Sequence, residues 1–284
     1  MKQKYLLYAL IPVFFWSLGS VVIRLTFGSL TIINFTAFRS LLGAITLISA
    51  CLIKKTPLPK KRDIPLFLVA GVVGFAIYTI FFNTGLMFVT AATGNVIMAA
   101  VPVFTAAIAL ITFKERIRPL GWVSIGISFS GVLILLLWNG VLSINVGVLW
   151  LIGAAFLNSI YNLIQRKLTR TYSALEGSAY SLIAGAAALS PFLPGAVREL
   201  VVAPPVVLAV VLFTGFCSAG LGYLFWTKAL AIADRTANVT NLLYLPPFLS
   251  AILAYMLFSE LPDWGTAVGG LIILAGLWMF QKKA

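Results

Sequence analysis

Long apolar runs separated by short polar segments extend over the whole sequence. Each run has the ~20 residues that a helix needs to cross about 30 Å of hydrocarbon, and the alternating pattern of a transmembrane β-strand is absent from the sequence. Because the connections are short, consecutive helices are expected to be antiparallel neighbours. The pattern therefore predicts an all-α membrane protein with ten transmembrane helices. The apolar runs cover 5–25, 30–53, 64–87, 91–113, 119–138, 146–165, 175–194, 205–228, 236–259 and 263–281.

Composition supports a membrane as the solvent of this chain. Apolar residues make up 61% of the 284 residues, charged residues make up 10%, and the mean hydropathy is +1.07. A soluble domain is nearer 45–50% apolar and about 25% charged. A water-soluble fold of this length has too little interior to bury so many apolar side chains, so no separate soluble domain is expected.

The basic residues are distributed asymmetrically between the loops. If the N-terminus is cytoplasmic, 17 of the 20 Lys and Arg residues fall on the cytoplasmic side. Only Arg24 and Arg198 fall outside, and Arg39 lies within the second run. Positive charge concentrated in cytoplasmic loops predicts orientation. We therefore expect a multi-pass protein of the inner (cytoplasmic) membrane with both termini in the cytoplasm. The net charge of +13 is then a topology signal and an attraction to membrane lipid, with no nucleic-acid partner expected.

The second half of the sequence repeats the first. A shift of 145 residues aligns runs three to five with runs eight to ten without a gap. Five helices per half would give the halves opposite orientations, an arrangement common among secondary transporters. The expected units are residues 1–140 and 141–284, both within one membrane-embedded body. The shift pairs Tyr78 with Tyr223, Pro102 with Pro247, Glu115 with Glu260 and Gly131 with Gly276.

Several kinds of chemistry are disfavoured by the residues available. There is no histidine in the chain, and Cys51 and Cys217 both lie in apolar runs as expected for small buried residues. All seven acidic residues lie at the ends of runs or in loops. An intramembrane enzyme would need a nucleophile with a base, so we expect no enzyme, no metal site and no cofactor.

Two segments resemble a known family. The stretch from FFNTGLMFVTAATGNVIMAAVPVF to FKERIRPLGWVSIGISFSGVLIL and its counterpart from KALAIADRTANVTNLLYLPPFLSA to FSELPDWGTAVGGLIILAG are similar to the repeated signature of the drug/metabolite transporter superfamily, EamA type. The second run, with Arg39, is similar to the second helix of that family. The resemblance covers nearly the whole chain. It implies a ten-helix carrier, often an exporter of amino acids, amines or similar metabolites.

Polar and aromatic residues recur within the runs at helical spacing. An amide facing hydrocarbon would leave costly polar groups unsatisfied, so these faces are expected to point inward, either towards a substrate or towards hydrogen bonds between helices. Pro102 and Pro247 are expected to kink their helices, by removing a backbone donor, and to take part in gating. The candidate substrate-binding residues are Trp16, Tyr78, Asn95, Met98, Asn158, Tyr161, Tyr223, Trp226, Asn241 and Tyr244.

Three charged residues within or beside the apolar runs have expected structural roles. Arg39 lies about nine residues from the outer end of its run, and we expect its guanidinium to satisfy helix-end carbonyls. Its alternative role is to bind an anionic substrate. Glu115 and Glu260 are expected to anchor or cap their helical hairpins.

The expected function is outward transport of a small neutral or zwitterionic metabolite, such as an amino acid, by alternating access through a central cavity at the membrane midplane. The alternatives are a carrier of an organic cation, held by aromatic rings, and a carrier of an anionic or phosphorylated metabolite. A channel or lipid scramblase is a further alternative. The expected partners are the substrate and membrane lipid, with the protein a monomer or a weak homodimer.

Overall fold

The secondary structure is helical throughout the described residues. The computed structural model describes residues 4–101, 104, 105, 108, 119–138, 145–232 and 241–283, and no strand occurs among them. The described α-helices are α1 (Lys4–Val22), α2 (Ile32–Ile53), α3 (Ile64–Gly71), α4 (Tyr78–Gly85), α5 (Ala91–Met98), α6 (Pro119–Leu137), α7 (Val146–Leu168), α8 (Ala174–Leu189), α9 (Leu193–Val202), α10 (Pro205–Leu212), α11 (Gly222–Ile232), α12 (Pro246–Phe258) and α13 (Trp264–Lys283).

Six helical segments of the described chain are long and apolar enough to cross a membrane. They agree with six of the ten expected runs, and two shorter apolar helices, Pro246–Phe258 and Trp264–Gly276, lie in the last two runs. The expected runs 91–113 and 236–259 include residues outside the described part. The six segments are Tyr5–Thr26, Ile32–Ile53, Lys61–Gly85, Val146–Gln165, Ala174–Val202 and Pro205–Ala229.

Helix starts follow the expected local chemistry. Ser173 and Glu176 form a reciprocal capping box at the start of α8, in which each side chain accepts from the other residue's backbone N–H. The side chains of Thr90 and Asn145 accept from backbone N–H groups at the starts of α5 and α7. Prolines occupy the first turn of α3, α9, α10 and α12, where no intrahelical donor is needed.

Two of the long helices widen into π-helical turns at equivalent places. Val72–Ile77 joins α3 to α4, and Phe213–Leu221 joins α10 to α11. Small residues in these turns admit large neighbours, because a Cβ added at Gly74 would lie 2.1 Å from Cδ2 of Tyr161. Tyr78 and Tyr223 follow closely after the two turns. Turns of this kind are frequent at functional sites.

Helices α6 and α13 form a closely packed pair. A Cβ at Gly131 would lie 2.6 Å from the carbonyl oxygen of Gly269, and one at Gly276 would lie 2.9 Å from the carbonyl oxygen of Ser124. Ser128 Oγ donates to the Ile273 carbonyl across the same contact at 3.5 Å. The two backbones can approach this closely because small residues line both surfaces.

Pro247 has a different setting from the one expected. It lies buried in the first turn of α12, immediately after the 3₁₀ turn Asn241–Tyr244, and not within a continuous helix. In the described chain Pro247 therefore begins a helix after a break in the helical backbone, and its expected part in kinking and gating stays a prediction. A pair of prolines at 246 and 247 favours a helix start, because two missing donors are tolerated there. Pro102 lies outside the described residues.

Candidate functional site

Three aromatic candidates from the two ends of the chain meet in one cluster. The ring of Trp16, on α1, lies 5.5 Å from that of Tyr223 and 5.3 Å from that of Trp226, both on α11. Trp16 Nε1 donates to the carbonyl of Ser218 at 3.0 Å. That carbonyl belongs to the second π-helical turn, so the turn itself orients the indole.

A second set of rings continues from Tyr223 towards α7. Phe75, in the first π-helical turn, packs edge-on against Tyr223 at 5.0 Å and against Tyr161 at 5.1 Å. The Tyr161 phenol also lies near the side chains of Ser178 and Gln165. The 145-residue shift pairs Tyr161 with Trp16, and each of these rings packs on the π-helical turn of the other half. The aromatic cluster, defined as Trp16, Phe75, Tyr78, Tyr161, Tyr223 and Trp226, thus joins α1, α7 and both turns.

Arg39 lies beside this aromatic cluster. It is seven residues into α2, about 10 Å along the helix from its start. Its guanidinium interacts electrostatically with the phenols of Tyr78 and Tyr223. Arg39, Tyr78, Tyr223 and Trp226 all keep intermediate accessibility. Among the described residues no helix-end carbonyl is seen to accept a hydrogen bond from Arg39, so its expected structural role stays a prediction.

The amide candidates have local partners. Asn95 Nδ2 donates to Ser20 Oγ at 2.7 Å and to the Ala91 carbonyl at 2.9 Å, which ties α5 to α1. Asn158 Oδ1 accepts from Asn162 at 3.1 Å on the same helix. Neither contact brings the amide to the aromatic cluster.

Four further expected site residues are less closely defined. Met98 ends α5 with intermediate accessibility. Asn241 and Tyr244 lie on the 3₁₀ turn that precedes α12, and their side chains are outside the described part of the chain. Glu115 is also outside it.

The predicted outer end of the molecule has its own polar contacts. The Arg24 guanidinium pairs with Glu260 and also donates to the Val89 carbonyl at 2.5 Å. This places Glu260 in a contact between α1 and the α12–α13 connection. A cavity of about 460 Å³ opens nearby, with Arg24, Thr93 and Asp263 in its lining. None of the eight substrate-binding candidates whose side chains the structure describes lines this cavity.

The predicted inner end has a hydrogen-bonded contact between the two halves. Tyr172 Oη donates to Asp63 Oδ2 at 2.7 Å and accepts from the Lys60 N–H at 2.9 Å. Burial, and then the hydrogen bond to Asp63, raises the pKa of Tyr172 above its ordinary value. Tyr180 Oη donates to the carbonyl of Pro57. The 54–63 segment is thereby attached to the start of α8.

The described chain contains no set of metal ligands. No group of three or more His, Cys, Asp or Glu side chains lies close enough there to hold an ion. Sequence reasoning missed Phe75, whose setting depends on a π-helical turn that an apolar pattern does not reveal. It also missed Ser40, Thr79 and Asn83, which are buried polar residues in apolar runs.

Known proteins resemble this chain in sequence and in fold. A probable terminal-alkyne amino-acid exporter of Streptantibioticus cattleyicolor is 27% identical over 231 residues, covering 79% of this chain and 75% of its own. An S-adenosylmethionine uptake transporter of Rickettsia prowazekii is 32% identical over 191 residues, or 67% and 63% of the two chains. A solved crystal structure covers all of both chains with a TM-score of 0.65 at 18% identity, a similarity of fold alone.

The family assignment rests on a match to each half. The model of the EamA-like transporter family matches residues 3–137 and again residues 145–281. These matches leave only short segments uncovered, and the relatives that share the sequence carry the names of transporters. The chain is a membrane protein that belongs to the EamA-like transporter family of the drug/metabolite transporter superfamily.

Proposed function

We propose that the protein is a secondary transporter that exports a small neutral or zwitterionic metabolite, such as an amino acid, by alternating access. The observation that carries this proposal is the aromatic cluster around Arg39. It gathers six rings, four of them partly accessible, and one cation at a junction of α1, α2, α7 and α11. Substrate sites of secondary transporters form near the midplane, between repeats, beside interrupted helices.

The proposed architecture is ten helices in two inverted repeats, residues 1–140 and 141–284. Helix packing supports it, because α1 packs on α11 as α7 packs on α4, and α6 packs on α13. The close contacts of Gly131 and Gly276 are also reciprocal under the 145-residue shift, as a two-fold axis requires. The two family matches fall within the same two halves.

Aromatic rings and a single cation suit a substrate of modest polarity. The rings offer apolar surface, and the carboxylate of a zwitterion would find a positive partner in Arg39. Export agrees with the name of the Streptantibioticus relative, whereas the Rickettsia relative is named for uptake. An organic cation remains the second candidate, because Trp16, Tyr223 and Trp226 present ring faces that favour cation–π contact.

The proposed setting is the inner (cytoplasmic) membrane with both termini in the cytoplasm. The distribution of Lys and Arg supports this orientation. The inner contact of Tyr172 with Asp63 and the outer contact of Arg24 with Glu260 each join elements of the two halves. In an alternating-access cycle these two contacts would open in turn.

Counterflow in proteoliposomes tests the proposal. Vesicles loaded with unlabelled amino acids, amines, nucleosides or sugar phosphates are diluted into the labelled compound, and the expected result is transient, saturable accumulation of an amino acid or similar metabolite. Trp226→Leu should lower the exchange rate at least roughly tenfold, because it removes a ring from the aromatic cluster. Trp264→Leu is the matched control, since Trp264 is 77% exposed at the start of α13.

Flux that does not saturate and is independent of internal substrate would contradict a carrier and indicate a channel. Equal exchange by Trp226→Leu and wild type would remove the aromatic cluster from the proposed site.

A further inference from the structure

The outer cavity, which opens beside Arg24 at the predicted outer end, is formed by several parts of the chain. Its volume of about 460 Å³ is within the range of sites for one small molecule. Its lining comes from the residues that follow α1 and α6, from the α4–α5 connection, and from the starts of α5, α7 and α13. These elements belong to both halves of the sequence, so a ligand held there contacts both.

Two side chains of opposite charge, Arg24 and Asp263, line the outer cavity. Among the described residues the Arg24 guanidinium pairs with Glu260 and donates to the Val89 carbonyl. A guanidinium has five N–H donors, so Arg24 retains donors for a further acceptor. Asp263 Oδ1 accepts from the Thr266 N–H at 2.6 Å, which leaves the second carboxylate oxygen without a partner in the described chain. Both charges can therefore bind a ligand without giving up these contacts.

A chain of three hydroxyls forms part of the same lining. Thr90 Oγ1 lies 2.8 Å from Thr93 Oγ1, which in turn lies 2.6 Å from Thr266 Oγ1. The N–H of Thr266 is the donor to Asp263, so the chain of hydroxyls ends beside that carboxylate. The two contacts use two of the three hydroxyl hydrogens, which leaves one hydrogen and several lone pairs for a ligand among the described residues. These groups suit either end of a polar molecule.

Aromatic rings complete the lining of the outer cavity. Trp138 follows α6 and packs on the start of α13, because a Cβ added at Gly265 would lie 2.3 Å from Trp138 Cγ. The rings of Phe27 and Phe88 also line the cavity. Apolar walls with a few convergent polar groups are typical of small-molecule sites. The rings supply surface for the uncharged part of a ligand.

We propose that the outer cavity is a second substrate site, which binds a zwitterionic metabolite with its ammonium group on Asp263 and its carboxylate on Arg24. This inference rests on the proposed export of such a metabolite and adds a site that the substrate occupies after the aromatic cluster and before release. A zwitterion matches both charges of the lining, whereas a cation or an anion would have the like charge of one of them nearby. Charge-assisted hydrogen bonds of this kind are stronger than neutral ones.

Glu260 competes with the ligand for Arg24. The carboxylate of Glu260 and that of the ligand are both anionic acceptors for the same guanidinium. Removal of the Glu260 charge should therefore strengthen binding, whereas removal of the Asp263 charge should weaken it. The two substitutions remove the same charge within four positions of the chain, so a general change of electrostatic field cannot produce opposite effects.

The first test counts binding sites. Purified wild type is dialysed to equilibrium with each labelled standard amino acid in turn, and at least one of them should bind with two equivalents per chain. Asp263→Asn should weaken one equivalent at least roughly tenfold, because an amide carries no charge for the ammonium group. The amide oxygen still accepts from the Thr266 N–H, so the start of α13 is kept. Glu199→Gln is the matched control, because Glu199 bonds to the Thr31 N–H at the same predicted end but does not line the cavity.

Trp226→Leu distinguishes this inference from the proposed function. It should lose the other equivalent and keep the one that Asp263→Asn weakens. Unchanged binding by Asp263→Asn overturns the inference and leaves the transport proposal standing. A single equivalent in wild type, weakened by Asp263→Asn and kept by Trp226→Leu, supports the outer site and removes the aromatic cluster from the proposed function. Binding of no amino acid rejects both.

The second test examines which charges of the ligand and of the cavity are paired. Glu260→Gln should bind the outer equivalent several-fold more tightly than wild type. The N-acetyl derivative of the amino acid and the amine obtained by removing its carboxyl group should each compete poorly for that equivalent, because each lacks one of the two charges. Weakening by Glu260→Gln to the extent seen in Asp263→Asn, or equal competition by either derivative, would overturn the assignment.

Discussion

Tyr172 connects the 54–63 segment to the other half of the molecule, because its phenol donates a hydrogen bond to Asp63. Its hydrogen bond to Asp63 requires the neutral phenol, and burial together with that bond raises the pKa of Tyr172. A tyrosine with a raised folded-state pKa stabilises the fold fully below its unfolded pKa of about 10. That contribution is lost as the pH rises through the folded-state pKa.

The expected outcome concerns alkaline stability. The melting temperature of purified wild type should fall more steeply between about pH 9 and 12 than that of Tyr172→Phe, because only wild type loses this proton. Tyr255→Phe, at a 56% exposed tyrosine, should retain the wild-type slope. Parallel curves for wild type and Tyr172→Phe would contradict the assignment.

Individual residues also show what a sequence reveals about a site. Trp16, Tyr161, Tyr223 and Trp226 lie well inside apolar runs, on faces that the sequence analysis expects to point inward, and the structure brings these four together. The hydrogen-bond partner of Asn95 could not be predicted from the sequence, because it is Ser20, 75 residues away. Whether any of these residues binds substrate stays a prediction.

Among the helices, the lengths of the apolar runs predicted the positions of the long helical segments but not their internal irregularities. The π-helical turns at Val72–Ile77 and Phe213–Leu221 have the same apolar composition as regular helix, so no local signal distinguishes them. The segment Leu193–Val202 extends the seventh run beyond its expected end, because Pro191 and Pro194 fall at helical first turns, where proline is tolerated.

The close α6–α13 contact leads to a prediction about packing. Gly131→Leu should destabilise the protein by about 1–3 kcal/mol and lower its melting temperature, because the added side chain enters the space of the Gly269 carbonyl. Gly276→Leu should act similarly from the opposite helix. Gly126→Leu is the matched control on α6, since a Cβ there meets nothing within 4 Å. Equal melting temperatures for all three variants would show that this contact is not tight.

At the scale of the whole molecule, the charge distribution makes a prediction about orientation. In a background with Cys51 and Cys217 replaced by Ser, Lys60→Cys should react only with a reagent that reaches the cytoplasmic side. Arg198→Cys should react from the outside. Both positions are exposed, so access is set by the membrane and not by burial. Labelling of both cysteines from one side would exclude the ten-helix topology with cytoplasmic termini.

The last prediction for the whole molecule concerns the energy source of transport. A proton-coupled carrier needs a group within the membrane whose protonation favours one state, and such groups are usually His or carboxylates in mid-span. The chain has no His, its acidic residues lie at run ends, and an arginine stays protonated throughout the accessible pH range. We therefore expect exchange, or movement down the gradient of the substrate itself, by rocking of the two halves. Counterflow in proteoliposomes should be unchanged by an imposed pH gradient. Concentrative uptake driven by that gradient alone would contradict this expectation and would direct attention to Glu260, whose ion pair with Arg24 joins the two halves and would be broken by protonation.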